Sequence, residues 1–251
     1  MTTIKDIDSF VTGIAPRELS EAWDNDGVML CGDTDAQVKK ALVCLEVNLD
    51  AVKRASEIGA SLIVTHHPFI FKPLKNVRGE YFSQIELLMK NGISVLSYHT
   101  RFDKAKGGVN DILAQTIGLC NVTEHAEFLR VGELDREMSG EEFAKYIREK
   151  LGCGTMKAYF DKSAKIKRVS VCGGAGKDFL ADAAGVSDAY VSADLSHNTF
   201  IDAKDMGISI FDAGHYFTEN PAVYRLADIL KSEFNEISFE TYDVGSPYFT
   251  I

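Results

Sequence analysis

Cysteine is scarce in this 251-residue chain, and the five present (Cys31, Cys44, Cys120, Cys153 and Cys172) are scattered, odd in number and never in a C-x-x-C spacing. This excludes a disulfide framework or a zinc knuckle and points to reduced, mostly buried thiols in a cytoplasmic protein. Positive charge is also short: 27 Lys and Arg stand against 37 Asp and Glu, for a net charge of −10. A nucleic-acid groove needs a concentrated basic surface, so nucleic acid is disfavoured as a partner. No apolar run approaches the roughly 20 residues that cross a bilayer. The opening Met1-Thr2-Thr3-Ile4-Lys5-Asp6 has no apolar core of a signal peptide, and no membrane partner is expected. No low-complexity or Pro-rich stretch marks a linker. What remains is 45% hydrophobic and 25% charged, an ordinary soluble globular composition with enough chain for one large domain or two small ones.

Helix and strand signals alternate along the chain. Ile4, Ile7, Phe10, Val11 and Ile14 recur at helical spacing before Pro16. Apolar runs at 41–47, 61–65 and 93–98 read as strands, separated by helices over 49–58 and 81–90 that stop at Gly59 and Asn91-Gly92. A helix over 109–117 closes the first half. The second half reads as strand 127–133, a helix to about residue 151 opened by the Ser139/Glu142 capping box, then strands 155–160 and 166–172. Helix 177–184, strand 189–192, helix 199–206, strand 208–211, helix 221–234 and strand 237–242 follow. Alternation of this kind predicts parallel α/β units. Ala41-Leu42-Val43-Cys44 echoes Val169-Ser170-Val171-Cys172, and Asn91-Gly92-Ile93-Ser94-Val95 echoes Met206-Gly207-Ile208-Ser209-Ile210. The expected architecture is therefore two similar α/β lobes related by duplication, 1–126 and 127–251, facing a shared cleft, with the C-terminal segment free to pack back on the first lobe.

Five of the six histidines end apolar runs. His66-His67-Pro68 follows Ser61-Leu62-Ile63-Val64-Thr65, and the others fall in Tyr98-His99-Thr100-Arg101-Phe102-Asp103, Asp194-Leu195-Ser196-His197 and Gly214-His215-Tyr216-Phe217-Thr218-Glu219. In parallel α/β architecture, ligands collect beyond the carboxyl ends of strands. An isolated tandem His pair reads more simply as solvated loop. Repetition with carboxylates at four strand ends turns the reading to one polynuclear metal site. His215 and Glu219 share i, i+4 spacing, and Glu219 is open to roles as ligand, bridge, general base or helix-dipole partner. Asp194 and His197 fit ligation, support of a ligand, or acid/base work equally. Trp23-Asp24-Asn25-Asp26-Gly27 reads from spacing alone as an Asx turn behind the lone tryptophan. Gly173-Gly174-Ala175-Gly176-Lys177 lacks the spacing of a Walker motif, although such a turn can hold an anion on backbone N–H groups.

These strings, with Gly108-Val109-Asn110-Asp111, occur in an order and spacing that resemble the Nif-three-like dinuclear-metal family, whose members carry the label GTP cyclohydrolase 1 type 2 homologue. The resemblance covers nearly the whole chain. It implies two related α/β lobes with a dinuclear centre between them, assembled as a homohexamer. It implies His66, His67, Asp103, His215 and Glu219 as ligands of two divalent ions per subunit, with His99 and His197 near the centre as candidates for proton transfer or substrate contact. Imidazole with carboxylate accepts zinc, iron, manganese, nickel or cobalt. Two functions follow as expectations. The first is a metal-dependent hydrolase of a small nucleotide-like or phosphorylated substrate, with Glu219, His197 or His99 assisting proton transfer. The second is a non-enzymatic metal-handling or regulatory oligomeric module.

Overall fold

The computed structural model describes residues 1–249. In chain order the elements are α1 (Ile4–Ile14), β1 (Gly27–Leu30), β2 (Lys40–Cys44), α2 (Leu49–Glu57), β3 (Leu62–Thr65), α3 (Glu80–Lys90), β4 (Ser94–Ser97) and α4 (Thr100–Lys104). There follow α5 (Val109–Ile117), β5 (Cys120–His125), β6 (Leu129–Ser139), α6 (Gly140–Leu151), β7 (Lys157–Tyr159), β8 (Lys165–Ala175), α7 (Leu180–Ala184) and β9 (Ala189–Ala193). The last are α8 (His197–Met206), β10 (Ser209–Asp212), α9 (His215–Glu233) and β11 (Ser238–Thr241). None of these helices is long and apolar enough to cross a membrane.

The chain forms two compact α/β units. The first comprises Met1–Lys106 and Val223–Gly245, and the second comprises Gly107–Ala222 with the described residues from Ser246 onward. The division thus falls at Lys106 rather than near residue 126. The cause is the apolar face of α5: Leu113, Ala114 and Ile117 share one core with Phe143, Val169, Val191 and Phe211, all of the second unit.

The first unit carries a sheet in the order β1-β4-β3-β2-β11. Strands β11, β2, β3 and β4 run parallel, and β1 lies antiparallel on the β4 edge. β3 and β4 are buried at every position, as expected for parallel strands covered on both faces. Leu42, Ile63 and Val95 pack with Ala51, Val52, Ala55 and Leu88 of the flanking helices. Each such aliphatic side chain contributes about 1.5–3 kcal/mol on burial. Helix starts are fixed by local chemistry: Thr3 and Asp6 form a capping box on α1, and the Asn48 side chain accepts from Ala51 N at 2.8 Å.

The second unit has the order β5-β6-β8-β9-β10-β7. β8, β9 and β10 are parallel, while β7, β6 and β5 are antiparallel to their neighbours. The run β8-β9-β10-β7 repeats the run β2-β3-β4-β1 in order and direction. The sequence echoes fall on equivalent members of it, β2 with β8 and β4 with β10. The Ser139/Glu142 capping box opens α6 as expected. Helix α9 differs from its expected start at 221: it begins at His215 and carries Pro221 in its interior.

Candidate metal centre

In the first unit the carboxyl ends of β2, β3 and β4 lie side by side, because the ladder continues past them. His67 N donates to Leu45 O at 2.8 Å, and Tyr98 N donates to Thr65 O at 2.9 Å. This brings His66, His67 and His99 together. Their ring centroids are 5.2, 5.3 and 5.8 Å apart, and one ligand-capable atom of each lies within 4.8 Å of the others. Asp103, buried on the one-turn helix α4, places Oδ1 3.5 Å from His66 Nε2.

Each of these imidazoles is held at Nδ1 by an oxygen. The partners are Tyr98 O for His66 (2.9 Å), Glu46 Oε2 for His67 (3.3 Å) and Asp24 Oδ1 for His99 (2.8 Å). A carbonyl and two carboxylates can only accept, so the proton sits on Nδ1 and Nε2 carries the lone pair. Three imidazole lone pairs are thus presented at short range beside a carboxylate, which is the donor chemistry of a divalent cation rather than of a hydrogen-bonded core.

Asp24 does more than accept from His99. Its Oδ2 takes Thr100 N at 3.0 Å and Thr100 Oγ1 at 2.6 Å. Burial opposes its ionisation, yet the hydrogen bonds from His99 and Thr100 outweigh that and bring its pKa down to about 2. Asp26, two residues on, lies 3.1 Å from the Nε of the fully buried Arg101. That guanidinium also donates to Thr12 Oγ1 and Ala15 O, at 3.1 and 3.2 Å, and lies over the Tyr98 ring. The string read as an Asx turn therefore supplies two carboxylates that fix His99 and α4. A pair of acids at i, i+2 opposite Thr100-Arg101 was the available signal. Glu46 had none, since nothing in its surroundings sets it apart from a solvated surface acid.

In the second unit, β9 is followed by Asp194, a non-glycine residue in the left-handed region at φ +53°. Its Oδ2 meets His215 Nδ1 at 2.7 Å, and His215 Nε2 lies 2.9 Å from Glu219 Oε2 one turn later on α9. The early start of α9 makes this i, i+4 pairing helical. Glu219 is buried, and Gly174, at φ +63°, approaches it so closely that a β-carbon there would overlap the carboxylate and lie 3.1 Å from His215 Nε2. Gly174 N donates to Thr218 Oγ1 (3.0 Å), Gly173 N to Asn110 Oδ1 (2.6 Å) and Gly176 N to Ser192 Oγ (3.1 Å). These three amides are committed internally. The glycine turn gives Glu219 room. His197 is exposed at the first position of α8, and among the described residues no hydrogen bond joins it to Asp194, His215 or Glu219. Burial pushes the Cys44 thiol up, and its Sγ donates to Glu46 O at 3.2 Å.

These observations define a class: a two-unit α/β protein built on one repeated topology, with an imidazole–carboxylate set at the strand ends of each unit. The chain belongs to the Duf34/NIF3 (NGG1p interacting factor 3) family, whose family model matches residues 2–246. It is 32% identical over 243 residues to the GTP cyclohydrolase 1 type 2 homolog of Clostridium perfringens, with 92% of each chain covered. Among solved structures it is similar to a Staphylococcus aureus protein at a TM-score of 0.91 and 26% identity, covering 99% of both chains. Reduced HcgD from Methanocaldococcus jannaschii gives a TM-score of 0.82 and 28% identity, covering 96% of this chain and 97% of that one.

Proposed function

We propose that the protein is a divalent-metal-dependent hydrolase of a small nucleotide-like or phosphorylated molecule. In this reading His66, His67, Asp103, His215 and Glu219 would hold two divalent ions. The observation that carries it is the common tautomer of His66, His67 and His99, each committed at Nδ1 with Nε2 presented as a donor atom. Divalent ions held by such ligands polarise substrate oxygens and make water nucleophilic near neutral pH.

The chain's own residues then divide the work. Tyr98 O, Glu46 and Asp194 orient the ligand imidazoles, as supporting acceptors do in metal sites generally. His99, with its proton held at Nδ1 by Asp24, is the group that takes or returns a proton at Nε2, and Glu219 serves as ligand with capacity for the same exchange. His197 contacts substrate from the start of α8. Relatives named GTP cyclohydrolase 1 type 2 homolog support a nucleotide-like substrate. The same reading includes assembly as a homohexamer, which light scattering on the purified protein checks as a six-chain mass.

The test is elemental analysis of protein purified without chelator, followed by turnover of a nucleotide and phosphoester panel by wild type and His67→Ala. About two equivalents of metal and turnover abolished in His67→Ala are expected. Stoichiometric metal with no turnover anywhere in the panel replaces the hydrolase with a metal-handling role. Absence of metal at any loading ends the proposal.

A further inference from the structure

Trp23 is the chain's single tryptophan, and it stands 60% exposed beside His99. Its ring meets Phe71 at 5.9 Å and His99 at 6.2 Å, and Phe71 meets His99 at 6.1 Å. The interplanar angles are 71°, 75° and 86°, so the three rings form a corner of nearly perpendicular walls. Phe71 is itself 43% exposed. Large apolar faces left in water forgo hydrophobic stabilisation that a ligand covering them can recover.

The corner is held in place rather than left to drift. Asp24, next to Trp23, grips His99 and Thr100. Asn25 donates its side-chain amide to Ile70 O, tying the Trp23 turn to the Phe71 loop. The base of that loop is closed by Phe69, whose ring stacks on Tyr81 at 5.1 Å and whose carbonyl accepts the Tyr81 hydroxyl. Compact surface loops with closed bases are often functional, and a pre-formed wall lowers the ordering cost of binding.

Charge supplies the second observation. Above its closed base the loop is exposed throughout 71–80, and Phe71, Leu74 and Val77 alternate with Lys72, Lys75 and Arg78. No acid occurs over 65–79, in a chain whose net charge is −10. Among the described residues none of these three cations has an ion pair. An apolar wall beside uncompensated cations suits a flat ligand that carries negative charge.

We infer that Trp23, Phe71 and His99 form a ring-binding subsite for a planar heteroaromatic group carrying an anionic substituent such as a phosphate, with Lys72 and its loop neighbours receiving the anion. The inference rests on the proposed hydrolytic site, because His99 links the corner to His66 and His67, at ring separations of 5.3 and 5.8 Å. It adds the substrate's class and orientation to that reading. The ring seats on the corner, and its reacting substituent faces the imidazoles.

The lone tryptophan is its own reporter. Its fluorescence is titrated, in chelator-treated and metal-loaded protein, with AMP, GMP, adenosine, ribose 5-phosphate and inorganic phosphate. Saturable quenching by the two nucleotides is expected, weaker with adenosine and absent with ribose 5-phosphate or phosphate. Phe71→Ala weakens nucleotide binding about tenfold, the scale of one lost base–aromatic stack. Lys72→Glu weakens the nucleotides and leaves adenosine unchanged. By calorimetry, Trp23→Phe retains nucleotide binding and Trp23→Ala loses it. The inference is overturned if no saturable quenching occurs, or if Phe71→Ala and Trp23→Ala bind as wild type does. It is likewise overturned if Trp23→Ala changes the oligomeric mass while leaving affinity intact, since the corner is then a contact between copies. Binding read this way needs neither turnover nor metal. Intact quenching in an inert enzyme therefore sinks only the hydrolase reading, and intact hydrolysis without quenching sinks only this subsite.

Discussion

Four imidazoles in this chain share one device, an oxygen acceptor on Nδ1 that turns Nε2 outward. The device is set by single side chains, so single substitutions test it. Asp24→Asn keeps the shape but gives up the charge that holds His99. We expect His99 to lose its Nδ1–H tautomer, visible in the imidazole ¹⁵N shifts, with activity falling about 10–100-fold as supporting acceptors generally require. Gly174→Ala puts a methyl group into the space of the Glu219 carboxylate at a backbone angle L-residues avoid. Its backbone cost alone is about 1–2 kcal/mol. Gly207→Ala has a similar positive φ and nothing within 4 Å of its β-carbon, so it carries the backbone cost without touching a ligand. Both variants should lose stability by denaturant titration, and only Gly174→Ala should lose metal. His66, His67 and His99 stood out in the sequence because histidine and carboxylate recur together at successive strand ends, not because of the tandem pair alone. Glu46 did not, because an acceptor chosen by the fold carries no spacing of its own, and Asp24 showed only as one of the two acids of the 23–27 string.

Among the elements, α4 shows how a five-residue helix is made rigid. Five residues are too few for intrinsic helix stability, yet all of Thr100–Lys104 is buried. Arg101 bonds the end of α1 and lies against Asp26, and Lys104 reaches Glu21 at 2.5 Å. Arg101→Met leaves Asp26 buried without its cation and should cost about 3–5 kcal/mol, measured by urea denaturation. The periodicity that exposed α2, α3 and α6 could not expose α4, which is shorter than one amphipathic repeat. β5 escaped for another reason: it is solvent-facing at nearly every position, so its sequence shows no alternation. Helix α9 was expected to begin at Pro221, because proline favours first turns. The Asp194–His215–Glu219 chain of contacts and the Thr218 hydroxyl bonded to Gly214 O and His215 O accompany a helix that starts six residues earlier.

At the scale of the molecule, the repeated run β2-β3-β4-β1 and β8-β9-β10-β7 explains why two brief sequence echoes marked a two-lobe fold correctly. Each echo lies on a central parallel strand, where burial on both faces restricts composition. The boundary between lobes was less visible because α5 joins the second core without a change in composition. If the ligands hold two ions, folding and metal binding are linked. Loading at about 1,000 times the dissociation constant should then stabilise the chain by about 4 kcal/mol per site, and chelation should reverse it. Melting temperature that tracks free metal concentration in wild type, and not in His67→Ala, is the expected result.

Asp194 brings two unrelated demands onto one codon. Its backbone angle admits glycine, asparagine or aspartate with least strain, while the imidazole it holds calls for an anion. Glutamate satisfies the second demand and fails the first; asparagine does the reverse. Of the twenty amino acids, aspartate alone passes both filters, so a saturation library at this codon should return it nearly by itself.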